Sequence, residues 1–137
     1  MSGFVRKGTR ADGTGERASA AVEFALVLPL VLVMTLALVQ VGLLVKDRLI
    51  VVEAARAGAR QASVSTDDGS VRQVTIEAAV SIDANSLDVV VDRQGGTGSP
   101  ASVTVTYHAP VVVPLVSWLF PSSIDIRATA TMRQETG

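Results

Sequence analysis

Residues 18–45 read ASAAVEFALVLPLVLVMTLALVQVGLLV, and this stretch decides the fold of the chain. From Phe24 to Val45 it runs for 22 residues without a charge, which corresponds to roughly 33 Å of α-helix at about 1.5 Å per residue. The hydrocarbon core of a bilayer requires about 20 such residues. The sequence therefore predicts one transmembrane helix, over residues 19–45.

Residues 1–17, MSGFVRKGTRADGTGER, precede this stretch and are polar, rich in glycine and without apolar periodicity. They are typical of a flexible leader. A cleaved secretory signal peptide is the alternative interpretation of the apolar run, but such peptides have an apolar core of about 7–15 residues and a small-residue cleavage site. This run is longer and ends in Lys46-Asp47-Arg48, which favours a retained anchor.

The helical pattern continues beyond the apolar run. In residues 46–64 the apolar or small side chains recur at intervals of three and four, at Leu49, Val52, Ala55, Ala59 and Ala62. This spacing predicts an amphipathic helix over residues 46–66, and only Gly58 weighs mildly against its continuity. We expect one rod from Ser19 to Val64, embedded in the membrane in its first half and packed on a domain in its second.

Residues 67–137 are predicted to form that domain, a small α+β unit. Thr66 to Gly69 indicate a break, after which Asp68 or Ser70 would cap a second helix over Val71 to Ile82. Three β-strands are predicted from alternating or β-branched segments at residues 87–92, 102–107 and 124–132. We expect an antiparallel sheet joined by one hairpin, with its loop at residues 94–100, and one longer crossover at residues 109–123. Trp118 and Phe120 in the crossover are interpreted as core or membrane-proximal packing rather than a ligand site.

The composition argues against an enzyme, a metal centre or a nucleic-acid-binding protein. The 137 residues carry a net charge of −1, no cysteine and a single histidine, His108, so thiolate chemistry and histidine clusters are excluded. Gly95 to Gly98 lack the lysine that follows a phosphate-binding loop. No cofactor, nucleic acid or small-molecule substrate is expected.

Three residues in this stretch, Glu23, Pro29 and Gly42, can each be interpreted either as functional or as having no specific role. Glu23 is either an interfacial carboxylate near a helix start or a charge held for a partner, because a carboxylate at a membrane centre costs about 2.5–3.5 kcal/mol. Pro29 removes a helical hydrogen bond and is expected to kink or loosen the helix, although proline is common in membrane helices. Gly42 is either a packing position or of no consequence.

The segment RASAAVEFALVLP, from Arg17 to Pro29, resembles the start of TadE-like proteins. These are minor, pilin-like components of bacterial tight-adherence (Tad, Flp-type) pilus systems. The helical continuation EAARAGAR at residues 53–60 and the closing strand that ends in TMR at residues 131–133 are similar to that family as well. The resemblance is specific from about Ala18 to Ala62.

The resemblance implies that a prepilin peptidase cuts after a small residue and leaves glutamate at the fifth position of the mature chain. Carried onto this sequence, the cut falls between Ala18 and Ser19, with Glu23 at that fifth position. The family usually has glycine before the cut, where this chain has Ala18. The new amine at Ser19 would be a cation that Glu23, of the same or a neighbouring subunit, could neutralise.

The resemblance also implies a pseudopilin-like minor subunit or assembly component of a Tad-type pilus. Its partners would be the membrane, the prepilin peptidase, other pilin-like subunits and the Tad assembly platform. It would lie in the inner (cytoplasmic) membrane as a single-pass protein, with residues 1–18 in the cytoplasm and the domain outside. Charge does not decide this orientation, because four basic residues precede the span, at positions 6, 7, 10 and 17, and four follow it closely, at positions 46, 48, 56 and 60. The alternative function is an unprocessed, membrane-anchored adaptor of a secretion or envelope complex.

Overall fold

The computed structural model describes residues 12–112 and 121–135. The elements are α1 (Asp12–Val64), α2 (Asp68–Ala78), a 3₁₀ turn (Ala84–Ser86), β1 (Leu87–Arg93), β2 (Pro100–Pro110) and β3 (Ser123–Arg133). The predicted α+β architecture of a long apolar helix, a short helix and a three-stranded antiparallel sheet is confirmed.

Helix α1 is the rod predicted from the sequence, and it ends at Val64 as expected. It begins earlier than expected, at Asp12, so residues 12–17 of the predicted flexible leader are helical. The charged and glycine-containing composition of this segment suggested a coil, but it is joined to a long run of good helix formers, and adding a turn to an existing helix needs no new nucleation. The rest of the leader lies outside the described residues.

Helix α2 begins and ends earlier than predicted. Its N-cap is Asp67, whose carboxylate accepts hydrogen bonds from the backbone N–H groups of Gly69 and Ser70 at 3.0 and 3.1 Å. Asp68 and Ser70, the predicted caps, therefore lie inside the first turn. The helix ends at Ala78 rather than Ile82, because Ala79 leaves helical geometry and Ser81 takes a positive φ of 75°.

The three strands form an antiparallel sheet in the order β1-β2-β3. Strand β1 pairs with β2 over seven residues, from Leu87↔Tyr107 to Arg93↔Ala101, and β2 pairs with β3 over eleven, from Pro100↔Arg133 to Pro110↔Ser123. Strands β2 and β3 are adjacent and antiparallel, so the predicted longer connection at residues 109–123 joins neighbouring strands, and residues 113–120 of it lie outside the described residues. The predicted placement of Trp118 and Phe120 lies outside the described residues.

The two helices cover one face of the sheet and leave the other face to solvent. Strand β2 shows the alternation that produces this arrangement: its inward side chains are buried, and they are Ala101, Val103, Val105, Tyr107 and Ala109. The outward hydroxyls of β2 pair with those of β3, Ser102 with Thr131 at 2.8 Å and Thr104 with Thr129 at 2.9 Å. The core is therefore a single apolar layer between α1, α2 and the sheet.

The face of α1 that packs on the sheet differs slightly from the predicted one. Ala55, Ala59 and Ala62 are buried as expected, but Leu49 is 64% exposed and Val51 is fully buried instead. At about 3.6 residues per turn, the buried stripe that includes Ala62 and Ala55 reaches Val51 and then Leu44. Leu49 therefore lies on the opposite side of the helix, away from the sheet.

The C-terminal end of α1 is closed by groups from distant parts of the chain. Arg93 donates from Nη1 to the carbonyl of Ala62 at 2.9 Å, and from Nε to Oδ1 of Asp68 at 3.0 Å. The backbone N–H of Glu135 donates to the carbonyl of Ser63 at 2.8 Å. Because the last carbonyls of a helix lack intrahelical donors, these bonds fix the end of α1 to the sheet.

Candidate functional site

The exposed half of α1 is the candidate functional site. A window of this helix has a mean hydropathy of 2.6 with none of its residues buried in the chain, and the helix from Gly15 to Val64 is long and apolar enough to cross a membrane. Large apolar side chains such as Leu26, Leu30 and Leu38 point outward without a covering element. Such a surface is stable only against lipid or another protein.

The predicted processing residues lie together near the start of this exposed segment. Ala18, Ser19 and Glu23 are all exposed and all helical, with the Ala18–Ser19 bond inside α1 rather than at its end. Ser19 and Glu23 are four residues apart, so they occupy the same face of the helix one turn from each other. An amine created at residue 19 would therefore stand on the same side of the helix as the carboxylate of Glu23.

Pro29 and Gly42 are also exposed on α1. The helix continues through Pro29 without ending there. A Cβ added at Gly42 would meet no atom within 4 Å, so this glycine makes no close packing within its own chain. Its packing against another helix stays a prediction, as does a functional kink at Pro29.

Gln40 is a residue of this helix whose position sequence reasoning missed. It is only 1% exposed, although it lies within the predicted transmembrane stretch and its neighbours Val39 and Val41 are exposed. Gln40 precedes Leu44 by four residues and Val51 by eleven, on the stripe that packs toward the sheet. This helical spacing from Leu44 and Val51 could have predicted from the sequence that Gln40 lies on the buried face of α1.

The sheet domain offers little chemistry by comparison. His108 Nδ1 lies 2.7 Å from Asp125 Oδ1 on the solvent face, and both side chains are more than half exposed. Within residues 12–112 and 121–135 no group of three or more His, Cys, Asp or Glu side chains is placed to hold a metal ion. The pKa of Tyr107 is raised above 10.0, first by burial and then by the negative charges of Asp47 and Asp83.

Comparison with known proteins finds a match within α1 that covers its exposed apolar half and part of the half that packs on the sheet. The family described as TadE-like protein matches residues 18–60, a segment that begins at the predicted cleavage site and ends two residues before Ala62. The resemblance seen in the sequence is thereby confirmed over this segment. No curated protein and no solved structure matches the chain.

Proposed function

We propose that the chain, whose residues 18–60 match the family described as TadE-like protein, is a minor, pilin-like structural or assembly component of a Tad-type pilus. The observation that carries the proposal is that the family match includes the exposed apolar half of α1. A helix with this exposed surface is built to sit in lipid or against other helices. The proposed role is structural and involves no catalysis.

The proposed maturation begins with a prepilin peptidase that cuts between Ala18 and Ser19 in the cytoplasmic membrane. The cut removes residues 1–18 with their basic side chains and creates a cationic amine at Ser19. Because Glu23 lies one turn away on the same face, its carboxylate can accept a hydrogen bond from this amine or from that of an adjacent subunit. In a low-dielectric environment such a pair is strongly preferred to two isolated charges, so it would fix the axial register between helices.

The apolar part of α1 would then supply the association surface. Helices in a membrane associate through close packing and dispersion rather than through the hydrophobic effect. Gly42, where nothing lies within 4 Å of a Cβ, lets a neighbouring helix approach closely. We propose other pilin-like subunits and the Tad assembly platform as the partners, with the sheet domain on the extracytoplasmic side.

The mature N-terminus tests this proposal. Mass spectrometry on the membrane fraction of the native host should find a chain that starts at Ser19. An intact leader would instead favour an unprocessed, membrane-anchored adaptor, an alternative consistent with α1 running unbroken from Asp12 through the Ala18–Ser19 bond. A start beyond Val45 would remove the anchor and overturn both proposals.

A further inference from the structure

The open face of the sheet is acidic along strand β1. This strand turns Asp88, Val90 and Asp92 toward solvent, on the side opposite the buried Val89. The two carboxylates are four residues apart, or about 13 Å at roughly 3.3 Å per residue. Among the described residues neither carboxylate accepts a hydrogen bond or forms an ion pair. Residues 88, 90 and 92 are called the acidic edge below.

Helix α1 carries the opposite charge on the side turned away from the sheet. Beyond the apolar run, exposed side chains recur there at intervals of three and four. This outer stripe consists of Lys46, Leu49, Glu53, Arg56, Arg60 and Val64. It holds three basic side chains and one acidic one, a net charge of +2. Glu53 is ion-paired with Arg56 at 3.3 Å, so Lys46 and Arg60 are the basic residues that have no ion pair within the described part of the chain.

Strand β1 descends toward the anchor as its residue numbers fall. Arg93 donates to the carbonyl of Ala62. Two residues earlier, Val91 pairs with Val103, which lies against Gly58. Two residues of strand, about 6.6 Å, thus correspond to four residues of helix, about 6.0 Å. The two elements therefore run nearly side by side, and a position on β1 can be assigned a height along α1.

The acidic edge and the outer stripe lie at the same distance from the anchor. Asp92 precedes Arg93 by one residue, so it is level with the turn of α1 that contains Arg60. Asp88 is about 13 Å nearer the anchor, a length of about nine helical residues. It is therefore level with residue 51, between Lys46 and Arg56. Each carboxylate has a basic side chain of the stripe within one or two helical turns of its own height.

Anchoring in one membrane limits how two copies of the chain can meet. Their α1 helices must run in the same direction, which excludes antiparallel pairing between the free edges of two β3 strands. Near the middle of β3, Ala130 pairs with Val103, which lies against Gly58. After its end, Glu135 is bonded to Ser63, so β3 runs in the same direction as α1. A contact between opposite faces of two copies, by contrast, keeps every anchor in the same direction.

We propose that the acidic edge of one copy binds the outer stripe of the next, so that the chain associates head to tail within the membrane. The two surfaces face in opposite directions, one from the open sheet and one from the outer side of the helix. Two copies displaced sideways therefore bring Asp92 of one opposite Arg60 of the other. Because each copy uses two different surfaces, a row of copies can be extended at both ends. The inference rests on the anchoring and subunit association given under Proposed function.

The anchor compensates for the weakness of this contact. An exposed ion pair contributes little between proteins in solution, because water and salt screen it. Two chains held in one membrane have their domains at one height in a thin layer, which raises the effective concentration of each surface for the other. Val90 and Leu49 are both exposed and add apolar area to the two surfaces.

Cysteine cross-linking can test the contact, because the natural chain contains no cysteine. Val90→Cys lies between the two carboxylates, and Ala57→Cys lies beside Arg56 at nearly the same height. The two single variants of the full chain would be mixed in vesicles of phosphatidylethanolamine and phosphatidylglycerol and treated with a short thiol-to-thiol cross-linker. Thr97→Cys, in the polar turn that follows β1, replaces Ala57→Cys in the matched control. Flotation of the chain with the vesicles reports the anchoring separately.

The mixture of Val90→Cys and Ala57→Cys should give several-fold more cross-linked dimer than the control mixture. Adding Arg60→Asp to both chains should reduce the dimer several-fold. Adding Asp92→Arg as well should restore it, because the pair forms again with its charges exchanged.

Three results would overturn the contact: equal cross-linking in the control, no response to the charge reversal, or a dimer formed by Val90→Cys alone, which would indicate two sheets face to face. A chain that floats with the vesicles but gives no dimer refutes the contact and leaves the anchoring intact. A chain that does not float refutes the anchoring on which the contact rests.

Discussion

Gly58 on α1 faces Thr75 on α2 at a distance that leaves no room for a side chain. A Cβ at residue 58 would overlap Thr75 Oγ1 and approach Val103 Cγ1 to 3.0 Å. Thr75 is itself fully buried, and its hydroxyl donates to the carbonyl of Val71 at 2.7 Å. The glycine is therefore the point at which α1, α2 and the sheet come into contact.

Gly58→Ala should destabilise the domain. Overpacking a close contact typically costs about 1–3 kcal/mol, which exceeds the roughly 1 kcal/mol that alanine contributes over glycine in a helix. Chemical unfolding of the full chain in detergent, followed by proteolysis of the sheet domain, would measure the loss. Gly42→Ala is the matched control on the same helix, and it should be neutral or slightly stabilising because its Cβ would meet nothing within 4 Å. Equal stability of the two variants would contradict the close contact.

Arg93→Met should also destabilise the domain, by about 1–3 kcal/mol, because it leaves the carbonyl of Ala62 without its donor. It also removes the ion pair with Asp68, in which Nη2 and Oδ1 are 3.0 Å apart. The amides near the C-terminus of α1 should exchange with deuterium faster in this variant. Arg72→Met removes an exposed arginine from α2 and should leave the exchange unchanged. Similar exchange in both variants would show that Arg93 does not fix the helix end.

The stability of the domain should fall at alkaline pH because of Tyr107. Its pKa in the folded chain is raised above 10.0 by burial and by Asp47 and Asp83. The unfolded chain therefore loses this proton at a lower pH than the folded chain. The contribution of the buried, protonated Tyr107 to the stability of the folded domain is therefore complete below about pH 10 and is lost as the pH rises through the folded pKa. Tyr107 is the only tyrosine, so the ultraviolet absorbance of tyrosinate follows its titration directly. A titration midpoint of the tyrosinate absorbance at or below the ordinary tyrosine pKa of 10.0 would refute the prediction.

Glu23→Ala should reduce pilus assembly while leaving membrane insertion intact. Removing the carboxylate would leave the proposed Ser19 amine without its counter-charge between packed helices, but it would make α1 more apolar. Glu23→Gln should behave like Glu23→Ala if the charge is what matters. Glu16→Ala lies in the segment that the proposed processing would remove, so it is the control and should have no effect on the finished subunit. Pilus yield and membrane association would be measured separately, and an unchanged yield with Glu23→Ala would exclude the registration role.

The sequence predicted those parts of the fold that depend on local periodicity. The alternation of Ser102 to Tyr107 was sufficient to predict β2, and the three-and-four spacing of Ala55, Ala59 and Ala62 was sufficient to predict the buried side of α1. Both patterns reflect the burial of one face of an element. The resemblance between Arg17 and Pro29 likewise located the segment that the family comparison matches.

The sequence did not predict features that depend on contacts between distant segments. Gly58 was read as a mild defect in a helix, whereas its role depends on Thr75 and Val103 of other elements. Gln40 is a polar residue within the apolar run, and only the structure shows that it is buried on the stripe of α1 that packs toward the sheet. The cap of α2 was misplaced by one residue or more, because Asp67, Asp68 and Ser70 are all acceptable caps by composition. The structure distinguishes them, because Asp67 has an extended backbone and its carboxylate accepts from the N–H groups of Gly69 and Ser70.

The hydrogen bonds that Arg93 and Glu135 donate to the last carbonyls of α1 constrain the order of folding. The carbonyl of Ala62 accepts a hydrogen bond from a side chain 31 residues later, and that of Ser63 accepts one from the backbone N–H of Glu135, after the end of β3. Gln134 is buried beside it and bonded to Gly95, Gly98 and Ser99. A nascent chain can therefore form the whole of α1 early, but the domain cannot close until β3 and the residues that follow it have been synthesised. Truncation by even a few C-terminal residues should leave a membrane-inserted helix with an unfinished domain.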